Sequence, residues 1–200
     1  MQQAKLRFHY GAMNSGKSTI ILTTAFNYEQ RGIPFIILKS VIDDRDGECI
    51  IKSRTGLERS CIATGKNDNI YEFVKENYIN KNESLSWIFV DEAQFLSVEQ
   101  INELSRIVDD FNIDVQCFGL RTDFQTKLFP GSMRLMEIAD KIVEMKSMCS
   151  CGNKNIVNAR IDSSGKLITH GNSVEIGGED KYITLCRKCY NNLVKNINSF

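Results

Sequence analysis

Short apolar runs alternate along the chain with longer stretches whose apolar residues recur at helical spacing. Leu6 to Tyr10 is an apolar-rich run ending at glycine, which predicts a strand, and Lys17 to Gln30 carries helix-compatible residues up to Gly32. Phe35 to Leu38 is a second strand candidate. The polar segment Asp43 to Glu58 mixes Gly, Asp and Arg without a period and reads as a mobile loop. Ile70 to Tyr78 looks helical, and Trp87 to Val90 is a continuous apolar run of the kind buried on both faces of a parallel sheet. Ser97 with Gln100 fits a capping box, after which Ile101, Leu104, Val108 and Phe111 repeat at helical spacing. Val115 to Phe118 predicts a strand, Gly131 to Ala139 a short helix and Ile142 to Met145 a last core strand. Strands alternating with helices in this way predict βαβ units, hence an α/β fold with a parallel sheet flanked by helices.

After Met145 the texture changes: four of the seven cysteines follow, with Gly152, Gly165, Gly171, Gly177 and Gly178. A boundary near Lys146 would divide the 200 residues into a core domain, 1–146, and a small appendage, 147–200. The 25 basic and 25 acidic residues cancel without a long run of either sign, which argues against an extended nucleic-acid or membrane surface and favours a small-molecule ligand. No apolar stretch approaches the roughly 18 residues of a membrane span, and the first residues lack a signal-peptide pattern. A cytoplasmic protein with reduced thiols is expected.

Gly11-Ala12-Met13-Asn14-Ser15-Gly16-Lys17-Ser18 matches GxxxxGK[ST] in full, between a predicted strand and a predicted helix. Glycines let backbone N–H groups turn towards phosphates, and the helix start adds partial positive charge. Lys17 reaches the β- and γ-phosphates, while Ser18 offers a hydroxyl to Mg²⁺. Thr19 and Gln94 are counted with this ATP-binding set. A carboxylate ending a neighbouring strand completes the magnesium shell of such loops, and Asp91, after Trp87-Ile88-Phe89-Val90, meets that requirement. Glu92 is either the base that takes a proton from the attacking group or a surface acid at a helix start; the buried strand before it favours the base.

Asp91-Glu92-Ala93-Gln94 also resembles a helicase box. A translocating helicase needs two lobes and a basic track, however, and this chain has room for one lobe and carries no net positive charge. A GTPase would read guanine through NKxD after a strand; Asn80-Lys81-Asn82-Glu83 follows a predicted helix and ends in Glu. The alternative left standing is a P-loop ATPase in which Glu92 activates water and the cysteine-rich end meets nucleic acid.

The phosphate loop, the DEAQF box at Asp91 to Phe95, Gly119-Leu120-Arg121-Thr122-Asp123-Phe124, and Ile176-Gly177-Gly178 before Tyr182 stand in one order. With these motifs the chain resembles thymidine kinases of the cellular, zinc-containing type over nearly its whole length. The resemblance implies a RecA-like core, a small zinc domain carrying a substrate-covering loop, a homotetramer, and ATP with thymidine as substrates. It gives Glu92 the role of base towards the 5′-hydroxyl. Asp43 becomes a magnesium-side acid, and Arg45 a cation near the phosphates, which would offset charge on the transferring group. Phe95, Phe124 and Phe129 correspond to aromatic positions around the thymine ring; read without the resemblance they are core packing. Met13, Leu120 and Tyr182 correspond to pocket positions, and Ile176, Gly177 and Gly178 to a segment that binds the base with its backbone. A pocket accommodating one extra methyl discriminates by only about 1 to 3 kcal/mol, so some acceptance of deoxyuridine is expected.

Cys149-Ser150-Cys151 and Cys186-Arg187-Lys188-Cys189 form two chelating pairs separated by residues 152–185, a plausible closed, structural zinc site of four thiolates. The first pair is tighter than most zinc knuckles, and free thiols are the other reading. Cys49, Cys61 and Cys117 have no matching partners in the sequence, and Cys117 reads as a small buried apolar residue.

Overall fold

Apolar runs such as Ile36-Ile37-Leu38 and Ile88-Phe89-Val90 become interior strands because their branched and aromatic side chains pack on both faces of a pleated sheet. The computed structural model describes residues 3–40, 49–171 and 181–197. The chain runs β1 (Leu6–Gly11), α1 (Lys17–Gln30), β2 (Phe35–Ser40), β3 (Ile50–Lys52), β4 (Glu58–Ser60), β5 (Ile62–Thr64) and α2 (Ile70–Val74). It continues as β6 (Trp87–Asp91), α3 (Val98–Phe111), β7 (Asp114–Gly119), α4 (Pro130–Ile138) and β8 (Lys141–Met145). Strands β5, β2, β6, β7, β1 and β8 lie in that order in one sheet, each neighbouring pair parallel. The predicted parallel α/β architecture is therefore present.

Period-two alternation divides the interior strands β2, β6 and β7 between two apolar cores. Phe8, Ile88, Val90, Val115 and Cys117 face Ile101, Leu104 and Ile107 of α3 on one side. Phe89 and Phe118 face Ile21, Leu22 and Ala25 of α1 on the other. Helix α3 starts where the sequence predicts: Ser97 Oγ accepts from Gln100 N at 3.1 Å and Gln100 Oε1 accepts from Ser97 N at 3.1 Å. The same Gln100 side chain donates to Gly65 O and Asp68 O, so the cap also pins the chain before α2.

The structure departs from the predicted elements in two places. The predicted helix Ile70 to Tyr78 is α-helical only to Val74 and continues as a π-turn over Lys75–Ile79. Asn77 Nδ2 donates to Phe73 O at 2.9 Å, a side-chain bond of the kind that competes with a regular helical ladder. Within the expected loop Asp43 to Glu58, the described part from Ile50 onward is ordered: β3 pairs antiparallel with β4, and Ile51 is fully buried beside Ile21 and Ile37. A three-residue strand is too short to show a period.

Beyond β8 lie β9 (Val157–Ile161), β10 (Leu167–Ile168), β11 (Tyr182–Leu185) and α5 (Arg187–Ile197). The three strands form an antiparallel sheet, β10-β9-β11, around Cys149, Val157, Ala159, Leu167, Leu185 and Cys186. Among the described residues no helix is long and apolar enough to cross a membrane.

Candidate phosphate-binding and acceptor site

Parallel α/β sheets bind ligands beyond the carboxyl ends of their strands, and there β1 turns into the glycine loop. Gly11 must be glycine: a Cβ at this position would lie 2.7 Å from Met145 O. Asn14 and Gly16 hold positive φ, 63° and 82°, which curls the loop. Gly16 caps α1 without a side-chain hydrogen bond, leaving the first helical N–H groups to an anion. Ser15 Oγ is buried with no hydrogen-bond partner among the described residues, an orphan that a phosphate oxygen would satisfy.

Lys17 is buried, and its Nζ donates to Ala12 O at 3.0 Å. Burial lowers its pKa, with the charges of Glu92 and Asp91 acting the other way. Ser18 Oγ donates to Asp91 Oδ2 at 3.3 Å, so the two predicted magnesium-side groups meet. Asp91 is buried, and desolvation, then repulsion from Glu92, raises its pKa to about 7 despite the opposing charge of Lys17. A carboxyl group so placed gains its charge readily once a cation sits beside it, which fits magnesium held between Ser18 and Asp91.

Glu92 occupies the left-handed region at φ 52°, an uncommon conformation for a side-chain-bearing residue and one often found at functional sites. Its Oε2 accepts from Gln94 Nε2 at 2.6 Å. The other end of the Gln94 amide accepts from Leu120 N at 3.0 Å. Gln94, counted with the phosphate-binding residues in the sequence reading, thus spends both ends of its side chain aiming Glu92 and tying it to β7. Close approach of neighbouring backbone makes room for this turn: a Cβ on Gly119 would meet Gln94 Oε1 at 2.7 Å, and one on Gly131 would meet Ala93 O at 2.6 Å.

Of the residues assigned to the acceptor, Phe95 is half-buried and its ring meets that of Phe129 edge-on, centroids 5.7 Å apart. Phe124 and Phe129 are 2% and 7% exposed, and Arg160 covers the Phe124 ring at 5.4 Å. Both rings are therefore buried. Met13, Leu120 and Tyr182 are half-buried, as is Thr19 in the first turn of α1. Asp43, Arg45, Ile176, Gly177 and Gly178 lie outside the described residues.

Two contributors were not found by sequence reading. Lys39, the penultimate residue of β2, lies opposite Asp91 in the register, is buried, and donates from Nζ to Ile50 O at 3.0 Å. The available signal was a lysine following an apolar run. Asn158, the second residue of β9, accepts from Met13 N at 2.8 Å and so grips the phosphate loop from the second sheet. No local pattern marks it. Leaving a buried N–H unpaired costs about 1 to 3 kcal/mol. Asn158→Ala is accordingly expected to raise KM for ATP at least several-fold, with Asn158→Asp, which keeps the acceptor, much closer to the parent; steady-state kinetics against ATP would decide.

The four cysteine sulfurs of the predicted set all lie within 4.8 Å of one another. A tetrahedron with Zn–S bonds of about 2.3 Å has edges of about 3.8 Å, and Cys151 Sγ and Cys186 Sγ stand 3.6 Å apart. The tight first pair is accommodated by a turn: Gly152 N donates to Cys149 O and Cys149 N to Asn153 O, both at 2.8 Å. Hydrogen bonding from Asn153 lowers the Cys151 thiol to about 6, while hydrogen bonding with Cys151, Cys186 and Cys149 pushes Cys189 up to about 12. Four thiolates cannot coexist so closely without a cation, so the donor set suits a soft dication. Cys117 is fully buried, as expected, and desolvation raises its thiol pKa. Cys49 and Cys61, expected to lack partners, instead face each other with their sulfurs 2.7 Å apart.

A glycine loop ending β1, a buried lysine, and an acidic pair ending a strand of the same sheet define a P-loop enzyme of the phosphoryl-transfer class. A family profile described as thymidine kinase matches residues 4–190. A thymidine kinase of Zymomonas mobilis subsp. mobilis is 46% identical over 98% of this chain and 99% of its own. Thymidine kinases of Enterobacteria phage T4 and Rhizobium meliloti are 45% and 42% identical, over 97% and 92% of this chain and 99% and 95% of theirs. The chain belongs to the thymidine kinase family, whose members are ATP-dependent nucleoside kinases. Nothing among these similarities favours an ATPase acting on nucleic acid.

Proposed function

We propose that the protein transfers the γ-phosphoryl group of ATP to the 5′-hydroxyl of thymidine, and less selectively of deoxyuridine, in nucleotide salvage. The observation that carries this reading is the Glu92 carboxylate, held by Gln94 at the end of β6 next to Asp91, which bonds Ser18 of the phosphate loop. The 5′-oxygen attacks the γ-phosphorus, its proton passes to Glu92, and the bond to the β–γ bridging oxygen breaks to release ADP. Gly11 to Ser18 cradle the phosphates, and Lys17 with Arg45 offsets charge on the transferring group. Magnesium would be held by Ser18, Asp91 and Asp43, and would supply positive charge to offset the negative charge developing on the phosphates. A zinc ion on Cys149, Cys151, Cys186 and Cys189 would be structural.

Met13, Phe95, Leu120, Phe124, Phe129 and Tyr182 surround the nucleoside in this reading, with Ile176, Gly177 and Gly178 meeting the base. The deep burial of Phe124 and Phe129 means that they would wall the pocket rather than stack across an open ring face. The division into a nucleotide-binding domain, 1–146, and a zinc domain, 147–200, is supported by the separate apolar cluster of the second sheet. A cytoplasmic homotetramer is the assembly proposed from the family resemblance. Incubation with γ-labelled ATP and a panel of nucleosides should place label on thymidine and, more weakly, deoxyuridine. Free phosphate released independently of nucleoside would refute the kinase reading.

A further inference from the structure

We propose that Cys49 and Cys61 are a redox modification site, a dithiol that closes reversibly to an intramolecular disulfide, separate from the four-cysteine cluster. The β3–β4 register pairs Ile50 with Ser60, so the next pair outward is Cys49 and Cys61, directly opposed. Cys61 N donates to Cys49 O at 2.8 Å, which holds the two backbones in that register. Opposed antiparallel residues lie about 4.5 to 5.5 Å apart at Cα. A disulfide spans about 4.4 to 6.8 Å, so the bond forms without moving either strand. The sulfurs already stand 2.7 Å apart, within about 1 Å of the roughly 2.05 Å bond length.

The surroundings fit a thiol pair that is reachable yet protected. Both cysteines are half-buried, and Cys61 packs against the core formed by Ile21, Ile37 and Phe89. An open groove lined by Phe35, Arg59 and Cys61 reaches the Cys61 side of the pair from solvent. Burial, then the hydrogen bond and charge of Cys49, raises the Cys61 thiol pKa, which slows adventitious oxidation of Cys61 alone. The oxidant class is a low-molecular-weight disulfide. One cysteine thiolate attacks it, forming a mixed disulfide and releasing one thiol; the second cysteine then displaces the other thiol and closes the 49–61 bond. Two protein thiols are oxidised and one external disulfide is reduced to two thiols. In a reducing compartment the couple returns to the dithiol. The bond anchors the start of β3 beside Ile50, whose carbonyl holds the buried Lys39.

The test uses the zinc-loaded enzyme, incubated with oxidised glutathione, quenched in acid, alkylated and digested for mass spectrometry. Expected is a cross-linked peptide pair joining Cys49 to Cys61, lighter than the two free peptides by two hydrogens and regenerated to alkylatable thiols by dithiothreitol. Cys49→Ser is expected to retain a glutathione adduct on Cys61 that the parent does not accumulate. Persistent adducts on the parent cysteines, or two alkylated thiols after oxidation, would overturn the proposal.

Discussion

Glu92→Gln is expected to bind ATP as the parent does and to lose turnover by roughly 10²- to 10⁴-fold, the range associated with a positioned general base. The substitution preserves shape, and one amide oxygen remains to accept from Gln94 Nε2, which bonds the native carboxylate at 2.6 Å. What it removes is the capacity to take a proton from the 5′-hydroxyl. ATP affinity should hold because the contacts Lys17 to Ala12 O and Ser18 to Asp91 do not pass through Glu92. Comparing kcat with the dissociation constant for ATP separates the two effects, and a variant with near-normal kcat would remove Glu92 from the base role. Gln94→Ala provides a further contrast. The carboxylate stays but loses both its clamp and the tie to Leu120 N, so kcat should fall less than in Glu92→Gln.

If the cysteine cluster holds the proposed zinc, removing it should have the largest structural effect. Binding free energy at comparable sites is on the order of 10 kcal/mol. The small sheet has only the cluster around Val157, Ala159, Leu167 and Leu185 to replace it. Chelation is therefore expected to unfold the chain from about Cys149 onward, read as new proteolytic cleavage there while the parallel sheet stays protected. Activity should fail at the same time, because Asn158 in β9 bonds Met13 N in the phosphate loop. Metal analysis of purified protein should find about one equivalent of zinc; well under one equivalent would overturn the assignment.

The legible parts of this chain were those whose physics is local. A strand buried on both faces needs a continuous apolar run, as Trp87 to Val90 shows. A helix start needs a cap within a few residues, as Ser97 and Gln100 show, and both are where the sequence placed them. The phosphate loop carries its requirements in consecutive residues, because backbone N–H groups from one turn do the binding. Short strands were less legible: β3 and β5 have three residues each, too few for a period, and owe their place to Ile51 packing under α1 and to pairing with β2. The acidic turn was readable in type but not in arrangement. That Gln94 serves Glu92 and Leu120 depends on β7 lying beside β6 and on two glycines that let neighbouring backbone approach.

Sequence alone determined the α/β class, the nucleotide loop, the acidic pair and the two cysteine pairs, since each is written in residues close together along the chain. Tertiary structure decided the contacts between distant residues: Lys39 opposite Asp91, Asn158 on the phosphate loop, Phe124 beneath Arg160, and Cys49 against Cys61. The first three join segments that meet only once the sheets are assembled, and the last needs the β3–β4 pairing that three-residue strands do not announce. A sheet that places β1 between β7 and β8, and β6 beside β2, is a consequence of packing two apolar faces, and no local pattern encodes it.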